Sequence, residues 1–165
     1  MTVRSPECCS VKLESLSDWE QKTHIMNTHQ SKRILVADQE DDIRTLICHT
    51  LSREGYSPVE TSDSASTLEM ARAQKWELVV LDLMQPGLDG LGTCRALKTF
   101  PETRDIPIIL LTANPDEADR LAGLAMGADA YLTKPFSPRA LITRINYLLL
   151  GGSGRFAQKE MPCAA

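Results

Sequence analysis

Several features that mark large protein classes are missing from this sequence of 165 residues. It has no cluster of Lys and Arg, and its formal net charge is −4, whereas nucleic-acid-binding domains usually present a basic surface. No apolar stretch approaches the length needed to span a bilayer, and residues 1–21 lack the apolar core of a secretory signal. These absences argue against nucleic-acid and membrane partners and favour contacts with other proteins.

The five cysteines also lack a recognisable framework. They form no CxxC motif and no spacing with His that is typical of a metal site. Cys48 and Cys94 fall on the apolar faces of predicted helices, where we expect buried thiols, and Cys8–Cys9 lie in a predicted tail. This pattern favours a reduced, cytoplasmic environment.

Composition divides the chain into three parts. Residues 1–31 mix charged residues, Ser and Thr around a loose apolar spacing, and we expect an N-terminal extension that is either a mobile tail or a short docking helix. Residues 151–165 open with GGSG, which predicts a flexible C-terminal tail. The ordered domain is expected over residues 32–150. Because no helix-turn-helix or other effector segment follows residue 151, we expect the domain to act alone.

Short apolar segments alternate with amphipathic segments five times in this domain. The predicted strands are 33–37, 57–61, 78–81, 106–111 and 130–133, and the predicted helices are 41–54, 64–75, 91–100, 117–126 and 137–150, the last with Ser137 as N-cap and Pro138 at its first position. Strands that are apolar throughout are buried on both faces, as in a parallel sheet covered by helices. Pro58 places the second strand at a sheet edge. The expected fold class is α/β, a doubly wound five-stranded parallel sheet.

Polar side chains stand where four of the predicted strands end. They are Asp38, Asp82, Thr112 and Lys134, and each alone has an ordinary explanation, such as a helix cap or a solvated strand end. In a doubly wound sheet, however, the carboxyl ends of the strands meet at one crevice, where ligands bind. Two carboxylates beside an ammonium group favour a divalent cation and a phosphoryl group, and a carboxylate there is a candidate nucleophile.

Four segments carry a family resemblance. Residues 34–44 (ILVADQEDDIR), 81–90 (LDLMQPGLDG), 106–113 (IPIILLTA) and 127–136 (GADAYLTKPF) resemble the signature blocks of response-regulator receiver domains, in order and at the usual separations. The resemblance covers about residues 32–150. It implies a flavodoxin-like sheet with strand order 2-1-3-4-5 and a phosphoacceptor signalling protein that is not an enzyme.

The resemblance also implies a role for each residue that matches the family pattern. Asp82 is the expected phosphoacceptor and takes its phosphoryl group from a histidine kinase or a phosphotransfer protein. The other expected roles are Mg²⁺ binding by Asp38, Asp82, the Met84 carbonyl and position Gln39; phosphoryl contacts by Lys134, Thr112 and Ala113; a switch pair of Thr112 and Tyr131; and a cis peptide bond before Pro135. A downstream protein target, or a second copy in a homodimer, is expected to bind the face formed by helix 117–126, the Tyr131 strand and helix 137–150.

Gln39 departs from the family pattern, which usually has a second acidic residue at this position. Either the site binds Mg²⁺ more weakly, through the amide oxygen or a water molecule, or the protein signals with little phosphorylation. The main alternative is therefore a pseudo-receiver, a protein-interaction module that works without phosphorylation.

Two enzyme or ligand-binding classes with related folds fit less well. A phosphohydrolase of the haloacid-dehalogenase type needs a second aspartate two residues after its nucleophile. In this chain that position holds Met84 after Asp82 and Glu40 after Asp38. A nucleotide or flavin binder would favour a Gly-rich or Ser/Thr-rich loop after the first strand, where this chain has the acidic sequence DQEDD.

Overall fold

The computed structural model describes residues 31–85, 87, 89–114 and 117–151, with the backbone alone for residues 117–120. The predictions made for residues 1–30, for Cys8–Cys9 and for the tail beyond residue 151 lie outside these residues.

Strands and helices alternate along the described chain. The elements are β1 (Arg33–Ala37), α1 (Asp41–Arg53), β2 (Ser57–Thr61), α2 (Ser64–Ala73), β3 (Leu78–Asp82), α3 (Gly90–Thr99), β4 (Ile108–Thr112), α4 (Glu117–Ala125), β5 (Ala130–Thr133) and α5 (Pro138–Leu149). None of the helices described is long and apolar enough to cross a membrane.

The five strands form one parallel sheet in the order β2-β1-β3-β4-β5. The predicted fold class and strand order are confirmed. β2, which contains Pro58, lies at the edge as predicted, and β3 lies at the centre between β1 and β4. Asp82, the last residue of β3, is paired with Leu111 of β4, so the end of the central strand is held within the sheet.

Two apolar layers cover the sheet, because alternate residues of each buried strand point to opposite faces. One layer packs α1 and α5 against residues such as Val36 and Val80, and the other packs α2 and α3 against residues such as Leu35 and Leu81. Gly123 of α4 approaches Leu110 on this second face. Burying each such aliphatic side chain contributes about 1.5–3 kcal/mol. The strand interiors therefore stabilise the fold, and the polar residues are left to the strand ends.

Local capping fixes where three of the helices begin. Asp63 accepts a hydrogen bond from the Ser66 N–H at the start of α2, and Asp89 accepts one from the Gly92 N–H at the start of α3. Ser137 caps α5 with Pro138 in the first turn, as predicted.

The predicted start of the fourth strand is wrong by two residues. β4 begins at Ile108 rather than Ile106, because Pro107 has no N–H to donate and the Ile106 N–H bonds to the Thr103 carbonyl in a turn. The Pro107 carbonyl still accepts a hydrogen bond from the Val79 N–H.

Of the two thiols predicted to be buried, Cys94 is buried and Cys48 is half-buried. Burial raises the pKa of each thiol to about 11. Neither thiol is activated as a thiolate nucleophile.

Candidate functional site

The sheet brings together the four polar side chains that the sequence places at strand ends. Asp38 follows β1, Asp82 ends β3, Thr112 ends β4 and Lys134 follows β5. Since all strands run parallel, these ends share one edge. Asp38, Asp82 and Thr112 are 0%, 1% and 2% exposed, so these three side chains lie below the protein surface.

The ammonium group of Lys134 is surrounded by carboxylates. Its Nζ lies 2.8 Å from Asp38 Oδ2, 3.0 Å from Glu40 Oε1 and 3.5 Å from Asp82 Oδ1. The peptide bond between Lys134 and Pro135 is cis, as the resemblance implied. Buried charges are tolerated when they are paired, and Lys134 provides that pairing for both buried aspartates.

The protonation of Asp82 depends on these neighbours. Burial raises the pKa of Asp82, and the nearby Asp38 charge raises it further, while Lys134 and a hydrogen bond from the Met84 backbone N–H lower it. The net pKa of Asp82 lies above its ordinary value. Burial alone would lower the pKa of Lys134, but Asp38 and Glu40 outweigh it and the net pKa is raised, which keeps the ammonium charged at neutral pH.

The carboxylates have the spacing of a divalent-cation site. Oxygen atoms of Asp38, Glu40 and Asp82 all lie within 4.8 Å of one another. Asp82 Oδ2 is buried and accepts no hydrogen bond from any described residue. Three carboxylates beside the single Lys134 ammonium leave two negative charges, which a divalent cation balances. Since Mg²⁺ prefers oxygen ligands, the donor set fits this ion.

The third carboxylate of this group does not come from the position next to Asp38, where the family pattern places a metal ligand. Gln39, the residue at the family's metal-binding position, is exposed, and the third carboxylate of the group belongs to Glu40. Met84, expected to contribute its carbonyl, is 65% exposed just beyond β3. Sequence reasoning noted Glu40 as acidic but did not place it in the site, because its side-chain direction depends on Lys134, 94 positions away.

Thr112 and Tyr131, the expected switch pair, are joined through the backbone of Asn114. The Asn114 N–H donates to Thr112 Oγ1 at 3.1 Å, and the Tyr131 hydroxyl donates to the Asn114 carbonyl at 3.0 Å. Ala113, which lies between Thr112 and Asn114, is exposed. The sequence pattern did not single out Asn114, whose importance comes from backbone groups that every residue type shares.

Gly90 packs directly behind the end of β3. A Cβ atom at this position would lie 2.4 Å from the Asp82 carbonyl oxygen and 2.5 Å from Leu83 Cα. The Gly90 N–H also donates to the Leu83 carbonyl. The start of α3 therefore approaches the Asp82 backbone as closely as only glycine allows, which explains why this position in the motif of residues 81–90 is a glycine.

Comparison with known proteins agrees with this arrangement. Residues 34–146 match the family model described as "Response regulator receiver domain". The phosphate regulon transcriptional regulatory protein PhoB of Klebsiella pneumoniae is 43% identical over 119 residues, which cover 72% of this chain and 52% of that protein. The probable transcriptional regulator ycf27 of Cyanophora paradoxa is 48% identical over 118 residues, covering 72% and 48%. The chain spans about half the length of these curated relatives.

Solved structures show the same fold. The chemotaxis response regulator CheY4 of Vibrio cholerae superposes with a TM-score of 0.69 at 25% identity, covering 72% of this chain and 98% of that one. The receiver domain of the sensor histidine kinase PA1611 of Pseudomonas aeruginosa, whose structure holds a magnesium ion in the active-site cleft, has a TM-score of 0.68 at 28% identity and covers 72% and 98%.

Proposed function

Because this chain belongs to the response-regulator receiver family, we propose that it accepts a phosphoryl group on Asp82 from a histidine kinase or a phosphotransfer protein, in a Mg²⁺-dependent reaction. The observation that carries the proposal is the setting of Asp82. Its carboxylate is 1% exposed at the end of the central strand, with Lys134 Nζ 3.5 Å from one oxygen and no described hydrogen-bond donor at the other.

The proposed chemistry is a transfer between two nucleophiles. An Asp82 oxygen attacks the phosphorus of a phosphohistidine, the phosphorus–nitrogen bond breaks, and the released imidazole takes a proton from solvent while an acyl phosphate forms. Attack requires ionised Asp82. Lys134 favours this form because its charge lowers the pKa that burial and Asp38 raise.

The remaining site residues would stabilise the transferred group. Lys134, the Thr112 hydroxyl and the Ala113 backbone N–H are proposed to contact the phosphoryl oxygens. Asp38, Asp82, the Met84 carbonyl and position Gln39 are the metal ligands that the family pattern assigns. A bound Mg²⁺ ion supplies positive charge to the phosphoryl oxygens.

The output surface is proposed to be the face of α4, β5 and α5. Movement of the Thr112 hydroxyl towards the phosphoryl group would break its bond with the Asn114 N–H, and Tyr131 is tied to the same residue. Three exposed apolar side chains lie in or next to these elements, Leu121 in α4, Tyr147 in α5 and Leu150 just after α5, at 56%, 37% and 86% exposure. Exposed apolar patches commonly mark protein contacts, so a target protein or a second copy of the chain is proposed to bind here.

Independent action, a cytoplasmic location and the absence of nucleic-acid contacts stay predictions from the sequence. Two of the curated relatives are named transcriptional regulators and are about twice as long as the matched region. Receiver domains themselves are signalling modules rather than enzymes, and the proposal concerns this module.

Intact-mass spectrometry after incubation with acetyl phosphate and Mg²⁺ tests the proposal. We expect a single phosphoryl adduct on the wild type and none on Asp82→Asn. Asp63→Asn is the matched control, since Asp63 caps α2 after the edge strand, is not a member of the acidic group around Asp82, and Asn is an equally good cap. An adduct that persists in Asp82→Asn would contradict the assignment. A folded wild type that stays unmodified, with acetyl phosphate and with a histidine kinase, would favour the pseudo-receiver.

A further inference from the structure

The acidic group at the strand ends lacks a negative charge at position 39, where the family usually has an acidic residue. Gln39 is neutral and its side chain is exposed. Asp38 and Asp82 with Lys134 leave a single net negative charge, which is too little to balance a divalent cation. A third carboxylate close to the two aspartates would restore the balance.

Glu40 has the position and the freedom to provide this carboxylate. It is the N-cap residue of α1, yet its side chain accepts no capping hydrogen bond from that helix. Instead the carboxylate turns towards the strand ends, where its Oε1 lies 3.0 Å from Lys134 Nζ. The Glu40 N–H donates to Asp38 Oδ1 at 2.9 Å, which holds the two acidic residues in a fixed relation.

Two observations point to a cation at this place. A carboxylate oxygen of Glu40 lies within 4.8 Å of oxygens of both Asp38 and Asp82. Asp82 is a member of this group, and its buried Oδ2 accepts no hydrogen bond from the described residues. Because the Glu40 side chain is 57% exposed, it is free to exchange its contact with Lys134 for one with an ion.

We infer that Glu40 supplies the negative charge that Gln39 lacks, and that it binds the divalent cation directly or through a water molecule. This inference rests on the proposed function, in which Asp38 and Asp82 hold Mg²⁺. Glu40 then has two partners. Without the ion it neutralises Lys134, and with the ion it joins the ligand set.

Calorimetric titration of the unphosphorylated full chain with MgCl₂ tests this role without reference to phosphorylation. Loss of an outer partner of a bound metal costs roughly 10- to 100-fold in affinity, and we expect Glu40→Gln to weaken Mg²⁺ binding by at least about tenfold. Asp42→Asn is the matched control, because it removes the same charge from an exposed position two residues away. We expect it to change the affinity by less than about twofold, since exposed charges are screened.

A double-mutant cycle separates direct binding from an effect through Lys134. If Glu40 contacts the ion, Glu40→Gln also weakens Mg²⁺ binding in a Lys134→Met background. If Glu40 only restrains Lys134, the loss disappears in that background and the inference is overturned. The double variant Gln39→Asp/Glu40→Gln should recover most of the affinity, because it returns a carboxylate to the neighbouring position.

The outcomes also separate this inference from the proposed function. Equal Mg²⁺ affinities for Glu40→Gln and Asp42→Asn would overturn the role of Glu40 and leave the phosphorylation of Asp82 intact. A wild type that binds no Mg²⁺ would overturn both the role of Glu40 and the Mg²⁺ dependence of the proposed reaction.

Discussion

Replacing Lys134 by Met would leave two buried aspartates without their counter-ion. Nζ lies 2.8 Å from Asp38 and 3.5 Å from Asp82, and the lysine side chain is only 11% exposed. Each contact is worth about 5–6 kcal/mol in Coulomb energy at an effective dielectric constant near 20, but the burial of the ammonium offsets much of that gain. Removing one partner of a buried pair costs about 3–5 kcal/mol. Since the free energy of unfolding of a domain is about 5–15 kcal/mol, we expect Lys134→Met to lose a large part of its stability and still to fold.

Lys98→Met provides the matched control. Lys98 is also a partly buried lysine, with Nζ 2.9 Å from Asp129 Oδ2 and its side chain 18% exposed. Asp129, however, is 38% exposed and still accepts a hydrogen bond from the Ile108 N–H. We expect this variant to lose less, about 1.5–3 kcal/mol, the usual contribution of a hydrogen bond to a charged group.

Urea denaturation, once with EDTA and once with saturating Mg²⁺, measures the loss of unfolding free energy in each variant and the stabilisation that Mg²⁺ adds. Mg²⁺ should stabilise Lys134→Met more than it stabilises the wild type, because the ion no longer competes with the ammonium for the same oxygens. It should stabilise Lys98→Met only as much as the wild type. Equal Mg²⁺ increments in all three proteins, or a loss below about 1 kcal/mol for Lys134→Met, would refute the view that Lys134 is the resting counter-ion of the pocket.

Lowering the pH should reduce the difference in the free energy of unfolding between Lys134→Met and the wild type. Lys134 lowers the pKa of Asp82, so its loss raises that pKa further above the unfolded value. The folded variant then holds the Asp82 proton more tightly than the unfolded chain does. The loss of stability in Lys134→Met is therefore complete above the pKa of Asp82 in the folded variant, and it becomes smaller as the pH falls through that pKa.

Three further predictions concern the same edge of the sheet. Without Mg²⁺, Asp82→Asn should raise the melting temperature at neutral pH, because the raised pKa of Asp82 shows that its charged form is disfavoured in the fold; an unchanged or lower melting temperature would contradict this. Gly90→Ala should lower stability by about 1–3 kcal/mol and slow phosphorylation, because the added Cβ meets the Asp82 backbone at 2.4 Å; mass spectrometry and urea denaturation check the two effects. Beryllium fluoride should change hydrogen exchange in α4, β5 and α5, and a change confined to α1 would exclude this output face.

The parts of the fold that follow from local chemistry were predictable from the sequence. Runs such as residues 34–37 and 78–81 are apolar throughout, which indicated strands buried on both faces, and Pro58 indicated the edge strand. The meeting of Asp82 with Lys134 followed from the parallel topology alone. The start of β4 did not follow, because a hydrogen bond from Ile106 to Thr103 rather than hydrophobicity decides it.

The details of the site depended on contacts between distant residues. The direction of the Glu40 side chain is set by Lys134, which the local sequence cannot show. The role of Asn114 depends on its backbone N–H and carbonyl, which carry no residue-type signal. The need for glycine at position 90 comes from the close approach of α3 to Asp82, and it is visible only once the helix is placed.

The two hydrogen bonds of Asn114 make this residue a natural spectroscopic reporter. Its N–H bonds to Thr112 and its carbonyl to Tyr131, so the amide ¹H and ¹⁵N shifts of this residue sense one side chain and its carbonyl ¹³C shift senses the other. The chain contains three asparagines, and selective ¹⁵N labelling of this residue type would give a spectrum with few cross-peaks. With ¹³C added to the label, the amide and carbonyl resonances of this one residue would follow the two contacts, without any substitution in the site.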